Sequence, residues 1–207
     1  NSFKIRYSCC MNGKPLAPVL WFCFLFLFSS SSVVFADDFK DALDAFDRED
    51  YESLYKLTLP LAEKGNAKAQ YMLGGMYSEG LGGVRDYKEA VRWYRLAAEQ
   101  GDAKAQHQLG VVYHFGRGVP QDNKEAVKWS KIAAEQGLAE AQYNLGLMYY
   151  HGEGTPQDYV LAYMWWNLSG SQGQKSAREN RDILEEEMTQ QQVEKAQEMA
   201  RSWKPKK

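Results

Sequence analysis

A serine and a lysine at nucleophile spacing are the first candidates for chemistry in this sequence. Ser53 and Lys56 form an S-x-x-K pattern, in which a nearby lysine can activate a serine for attack on a carbonyl. The sequence contains neither of the motifs K-T-G and S-D-N that accompany this pattern in acylating enzymes. Ser53 also occupies the column that holds Glu89 and Glu125 in the repeats described below, which indicates a solvent face. We therefore expect no catalytic residue.

Three histidines are the candidates for a metal site. His107 and His114 are seven residues apart, which on one helix is a rise of about 10 Å and too far for both to bind one zinc ion directly. His151 lies in a different column of the next repeat. The acidic run of residues 37–50 lacks the central glycine of a calcium loop, and the G-x-G triplets lack the context of a phosphate loop. The sequence predicts no metal and no other cofactor.

The charge balance limits the possible partners. The chain has 207 residues, with 25 basic against 27 acidic side chains and a net charge of −2. Nucleic-acid binding requires a clustered basic excess, so we expect no nucleic-acid partner. Hydrophobic residues make up 44% and charged residues 25% of the sequence, which is typical of a soluble folded chain.

The first 36 residues have the pattern of a secretory signal peptide. They contain no acidic residue, and Met11 is the predicted start. Lys14 precedes an apolar run from Leu16 to Phe28, and Ala36 ends a suitable cleavage site. The run is shorter than the ~20 residues that a membrane-spanning helix needs. We expect a bacterial protein that is periplasmic or secreted and leaves the membrane after cleavage, or a membrane-anchored one if the signal is not cleaved.

A repeat of period 36 organises the rest of the chain. Three windows align without a gap, at residues 65–100, 101–136 and 137–172. Thirteen of the 36 columns are identical in all three windows, and they include G-x-A-x-A-Q-x-x-L-G-x-x-Y and a following G-x-G. A period of this length is typical of solenoids, in which each unit buries its apolar face against the next.

Each window has the pattern of a helical hairpin. In the first window Ala69, Leu73 and Tyr77 lie on one stripe of a helix, and Gly74 indicates close contact with another helix. The G-x-G ends this first helix, and an aspartate is placed to cap the second. These aspartates are Asp86, Asp122 and Asp158. The sequence predicts an all-α fold, a right-handed α/α superhelical solenoid of helical hairpins.

Atypical units are expected at both ends of the array. Residues 37–64 are a degenerate N-terminal capping hairpin, and residues 173–207 are C-terminal capping helices with a basic tail. The N-terminal apolar stripe consists of Phe39, Ala42, Leu43 and Phe46. The last helix starts at Thr189, and its buried stripe consists of Val193, Ala196, Ala200 and Trp203. We expect residues 204–207 to be a loose tail.

The repeated unit resembles the Sel-1-like repeat, a relative of the tetratricopeptide repeat with a slightly longer unit. The resemblance covers roughly residues 50–175 and is specific because the motif recurs three times. It implies an α/α superhelical scaffold that holds a partner protein or peptide on a concave face, and it implies no reaction. A cysteine-rich branch of the family has been linked to β-lactam binding, but the paired cysteines of that branch are absent here.

One stripe of each first helix is left outside the core and is the candidate partner-binding groove. The matching positions line the concave surface of tetratricopeptide relatives. The stripe consists of Tyr71, Gly75 and Ser78, then His107, Val111 and His114, then Tyr143, Leu147 and Tyr150. Its aromatic and histidine content suits a peptide or a small hydrophobic anchor. The alternative is that several of these residues only pack against the neighbouring first helix.

These observations leave three possible functions. The first is an exported, monomeric scaffold that binds a partner protein or peptide in the groove. The second is a cell-envelope hydrolase of the β-lactamase-like kind, which would depend on Ser53. The third is a structural homo-oligomer that stacks through the ends of the array.

Overall fold

The computed structural model describes residues 39–206, which form ten α-helices and no strand within that range. The all-α fold of stacked helical hairpins is therefore confirmed, whereas the predicted signal peptide lies outside the described residues. The helices are α1 (39–47), α2 (Tyr51–Glu63), α3 (Ala67–Glu79), α4 (Tyr87–Glu99), α5 (Ala103–Phe115), α6 (Asn123–Glu135), α7 (Ala139–His151), α8 (Tyr159–Ser171), α9 (Lys175–Glu187) and α10 (Gln190–Ser202). In α2 to α9, each helix packs on the next one along the chain, as in a solenoid.

The ends of the repeat helices follow from the repeated sequence. Gly80, which ends α3, has φ +73°, a left-handed conformation that suits glycine, and the glycines that end α5 and α7 do the same. Asp86 caps α4 by accepting hydrogen bonds from two backbone amides of its first turn. Asp122 caps α6 in the same way, and Asp158 caps α8 by accepting from one backbone amide, that of Leu161. These local rules set the hairpin in each repeat.

The glycine inside each first helix permits close contact with the second helix, as predicted. A Cβ atom at Gly74 would lie 2.6 Å from the Tyr94 ring of α4. The same column brings Gly110 against Ser130 and Gly146 against the Trp166 indole. The second-helix residue in this column therefore differs in size from repeat to repeat, although the contact itself is the same.

A ladder of glutamine pairs connects the buried side of each hairpin. Gln106 is 4% exposed and donates from Nε2 to the carbonyl of Ala98, 3.1 Å away. Its Oε1 accepts a 2.6 Å hydrogen bond from Gln136. Gln70 with Gln100 and Gln142 with Gln172 repeat this arrangement. Because buried amides need partners, the ladder explains why both glutamine columns are identical in all three windows.

The N-terminal helix differs from the predicted apolar stripe. Ala42 and Ala45 are fully buried, whereas Leu43 is 41% and Phe46 47% exposed. The buried face of α1 is therefore made of alanines. The larger apolar side chains lie beside it, because α1 is the first described helix and no described helix covers its outer side.

At the C-terminal end, α10 packs on α8 and its buried stripe is the predicted one. Val193, Ala196 and Ala200 are buried, and Trp203 is partly buried against them. The expectation of a loose tail is wrong at Lys206, whose amide donates to the carbonyl of Glu135 at 2.7 Å. This contact joins residues far apart in sequence, so no local pattern could reveal it.

Candidate binding site on the first helices

A pocket lies between the first helices of the second and third repeats, α5 and α7. Its volume is about 270 Å³, and Val111, His114 and Leu147 of the predicted stripe line it. Five residues outside the predicted stripe also line it, namely Phe115, Asn144, Met148, His151 and Glu153. The walls are mainly aliphatic and aromatic with a few polar side chains, which is the usual composition of a binding pocket.

A second pocket adjoins the first on the other side of α7. Its volume is about 190 Å³, and it lies between α7, α8 and α9. Tyr150 and Leu147 of the predicted stripe line it, together with Trp166, Ile183 and other residues. Because Leu147 and His151 line both pockets, the two form one continuous surface across α7.

The polar side of the first pocket is formed by His114 and Glu153. Among the described residues that line this pocket, Glu153 is the only one with a carboxylate. Its Oε2 lies 3.7 Å from Nδ1 of His114, beyond hydrogen-bond distance, and that buried nitrogen has no other partner. The pocket therefore offers a ligand one carboxylate, that of Glu153. Phe115 lies at its rim, 58% exposed, with the Arg117 guanidinium 5.0 Å from its ring centroid.

His107 lies above the first pocket and contacts the neighbouring first helix. Asn144 donates from Nδ2 to Nε2 of His107 over 2.8 Å, which joins α5 to α7. Burial lowers the pKa of His107 below its usual value, and the neutral ring is the form that can accept this hydrogen bond. Because Asn144 itself lines the pocket, His107 acts here by positioning it.

In the first repeat, a side chain of the second helix packs against the corresponding stripe residues. The Tyr71 ring lies 6.0 Å from that of Tyr94, and the Tyr94 hydroxyl donates to Ser78 Oγ over 3.4 Å. Burial raises the pKa of Tyr94 to about 12. Tyr143 of the third repeat is partly buried, and its carbonyl accepts a 3.1 Å hydrogen bond from the Trp166 indole. The structure thus brings four of the nine stripe residues into the pockets: Val111, His114, Leu147 and Tyr150.

Several pocket residues were not predicted from the sequence, for different reasons. Phe115 and His151 lie one position beyond the predicted stripe, and a helical face of i, i+4, i+7 and i+8 would have included them. Asn144 lies beside the stripe, and Glu153 lies in the G-x-G turn. Only the packing of the folded chain shows that both line the pocket. Ile183 belongs to α9, a helix that the sequence marked as a cap.

The residues considered for catalysis and metal binding lie elsewhere or do not converge. Lys56 Nζ pairs with Glu52 over 2.6 Å, and the Ser53 amide donates to Asp50, both on the exposed surface of α2. Residues 39–206 contain no group of three or more His, Cys, Asp or Glu side chains that could hold a metal ion. Within the same range, no helix has the length and apolar character needed to cross a membrane.

Comparison with known proteins agrees with the repeat architecture. The profile of the Sel1 repeat matches residues 67–102, 103–138 and 139–174. A protective antigen of uropathogenic Escherichia coli strains, solved with an SLR fold, is 36% identical with a TM-score of 0.69, covering 73% of this chain. A Sel1 repeat protein from Oxalobacter formigenes is 33% identical with a TM-score of 0.65, covering 69% of this chain. A search of curated proteins finds no match.

The chain spans 32% of the length of the E. coli antigen and 58% of that of the Oxalobacter protein. Proteins built from these repeats are generally scaffolds for protein interaction. Three matched repeats cover more than half of the sequence, and their bounds follow the helical hairpins closely. The chain therefore belongs to the Sel1 repeat family.

Proposed function

We propose that this protein is a scaffold that binds a partner peptide in the two adjoining pockets on its first helices. The observation that carries the proposal is the continuity of the pockets across α7, where Leu147 and His151 contribute to both. A peptide lying across α7 can therefore place one side chain in each pocket while its backbone crosses between them.

The chemistry of the pockets favours apolar anchors. Phe115 is 58% and Ile183 61% exposed, one at the rim of each pocket. Large apolar side chains exposed beside a concavity are typical of interaction sites, and such anchors provide most of the binding energy. Glu153 would select among peptides by pairing with a basic group.

A displayed peptide library selected on the full chain tests this function. Selected peptides are expected to carry two apolar residues and to lose about tenfold in affinity for the double variant Phe115→Ala/Ile183→Ala. Phe46→Ala is the matched control, because Phe46 is 47% exposed on α1, away from both pockets. Equal affinity for all three proteins would place the binding site on another face.

Export is a separate part of the proposal and rests on residues 1–36. Their charge pattern and apolar run suit a signal peptide, and the similar E. coli protein is described as a protective antigen. A fusion of residues 1–36 to a phosphatase that is active only outside the cytoplasm should be active in a bacterial host. An inactive but expressed fusion would remove this part and leave the binding function untouched.

We also propose that the array works as a monomer, with partner binding as its only interaction. Charged side chains dominate the outer faces of α9 and α10, which opposes stacking at that end. Light scattering of the full chain in a mild detergent should give the mass of one chain. A stable dimer mass would favour the homo-oligomer instead.

A further inference from the structure

The chain segment after α10 is bound to the end of α6 by a defined set of contacts. The Lys206 amide donates to the Glu135 carbonyl at 2.7 Å, and Lys206 Nζ pairs with the Glu135 carboxylate at 2.8 Å. A Cβ atom at Gly137 would lie 3.7 Å from Pro205 and 3.8 Å from the Trp203 ring. We call Glu135, Gly137 and Trp165 the filled site.

The aromatic part of the filled site is Trp165, which holds Trp203 by a contact between the two rings. Its ring meets Trp165 edge-on, with centroids 6.1 Å apart and planes at 74°. This geometry is the favourable T-shaped arrangement of two aromatic rings. The last segment thus places a tryptophan against an aromatic ring and, three residues later, a lysine against a carboxylate, with a glycine between the two contacts.

The repeat places the same three residue types 36 positions earlier, at Glu99, Gly101 and Trp129, which we call the open site. Gly101 has φ +94° and Gly137 +98°, and the amide of each donates to the alanine carbonyl three residues before it. The backbone of the two sites is therefore the same. A side-chain bond from Gln136 to the Gly101 carbonyl, 3.2 Å long, holds the open site in place.

The open site is accessible where the filled site is covered. No described atom comes within 4 Å of the Cβ position of Gly101. Among the described residues nothing pairs with the Glu99 carboxylate or donates to its carbonyl, and Trp129 is only partly buried. Lys128 Nζ lies 5.7 Å from the Trp129 ring centroid and is tied to Glu125, so it leaves part of the ring free.

The corresponding residues of the preceding unit, Glu63, Gly65 and Trp93, do not form such a site. Trp93 is 4% exposed, and the guanidinium of Arg92 lies 4.1 Å from its ring centroid. A cation held directly over the ring excludes a second aromatic side chain from that face. Two of the three copies can therefore bind a segment, and the chain itself fills one.

We propose that the open site binds a segment of a partner protein that carries tryptophan and, three residues later, lysine. The tryptophan meets Trp129 edge-on, the segment passes over Gly101, and the lysine pairs with Glu99. The site lies on the second helices and at their ends, so this interaction is independent of the pockets on the first helices. The chain would then bind two partner segments at once.

A peptide with the sequence of residues 200–206, Ala-Arg-Ser-Trp-Lys-Pro-Lys, is the probe. Titrated into the isotope-labelled full chain, it should shift the amide signal of Gly101 and saturate below about 5 mM. Glu99→Lys should weaken this binding at least about fivefold, because it replaces attraction by repulsion. A peptide in which the last lysine is glutamate should bind Glu99→Lys more tightly than it binds the unaltered chain.

Glu63→Lys is the matched control, since it makes the same charge change in the preceding unit, and it should bind the probe like the unaltered chain. Equal binding by Glu99→Lys would overturn the proposal, as would the absence of any Gly101 shift. A shift of Gly137 alone would show that the probe displaces the chain's own segment instead. A Gly101 signal that moves with protein concentration before any peptide is added would identify a second copy of this chain as the occupant, against the proposal.

Discussion

The cleft between α3 and α5 and the cleft between α5 and α7 come from the same repeat but differ in how they are filled. In the first cleft the Tyr94 ring lies under Gly74 and reaches Tyr71 and Ser78. In the second, Ser130 takes the place of Tyr94, and a pocket of about 270 Å³ is lined by Val111 and His114. The residue in one second-helix column therefore differs between these two clefts, a large ring in the first and a small hydroxyl side chain in the second.

The cleft between α7 and α9 extends this comparison. Trp166 occupies the column there, and the pocket it helps to line has about 190 Å³. The indole donates to the Tyr143 carbonyl, which holds it against α7 and leaves space on the side of Ile183. The Trp166 ring also lies 5.6 Å from that of Tyr150, a stripe residue, so a large side chain in this column does not by itself close a cleft. The repeats are equivalent in backbone and different in binding surface.

The largest expected loss of stability comes from replacing Tyr94 of the first cleft by serine, the residue type of the second cleft. Tyr94 is 3% exposed, so Tyr94→Ser should lower the free energy of unfolding by about 3 kcal/mol through lost burial and a new cavity. Urea denaturation measures the change. Tyr94→Phe removes only the long hydrogen bond to Ser78 and should change stability by less than about 1 kcal/mol. Similar losses for both variants would mean that the hydroxyl, not the ring, fills the cleft.

Two adjacent glycines of α3 test how close the Tyr94 ring lies. Gly74→Ala places a methyl group 2.6 Å from the buried ring and should destabilise the protein by about 2 kcal/mol. Gly75→Ala meets only the Tyr94 hydroxyl, at 3.8 Å, and should stabilise the helix by up to about 1 kcal/mol. Thermal unfolding of both variants gives the comparison. Stabilisation by Gly74→Ala would show that the ring can move away.

Substitutions in the glutamine ladder test whether equivalent buried hydrogen bonds contribute equally to stability in the three repeats. Gln70→Met, Gln106→Met and Gln142→Met each remove a bond to an alanine carbonyl and the bond accepted from the partner glutamine. Each should lower the free energy of unfolding by about 1 kcal/mol. Chemical denaturation should give the same value for all three within about 0.5 kcal/mol. A much larger value for one position would locate a difference between repeats deeper than the clefts.

The smallest expected effect is a pH dependence of the free energy of unfolding that comes from His107, beside the second cleft. Burial holds the pKa of His107 below its usual value, so the unfolded chain binds this proton more readily than the folded one. Stability should therefore fall as pH drops below about 6.5, and His107→Gln should reduce that fall by less than about 1 kcal/mol. Denaturation at about pH 7.5 and about pH 5 measures it. An unchanged fall in His107→Gln would mean that other groups cause the pH dependence.

Much of the fold could be predicted because its causes are local. The helix ends at Gly80 and Asp86 follow from backbone sterics and capping, which depend on neighbours within one turn. Repetition with period 36 then determines that equal units stack. The buried face of each first helix and the stripe beside it follow from helical periodicity.

The binding surface could be predicted only as a set of candidates. The stripe contained Val111 and Leu147, which line the pockets, but equally Tyr71, which packs against Tyr94. Whether a stripe residue is open depends on a side chain that reaches it from another helix. Periodicity assigns a residue to a face and carries no information on what lies opposite.

The sequence by itself therefore determined the repeat, the hairpins, their caps and the family. The tertiary structure decided which cleft is open, that Ile183 of the C-terminal cap completes a pocket, and that Lys206 binds Glu135 rather than extending freely. The physical reason is the range of the interactions. Capping and helical periodicity act within a few residues, whereas pockets and the contacts of the last segment depend on side chains brought together from distant parts of the chain.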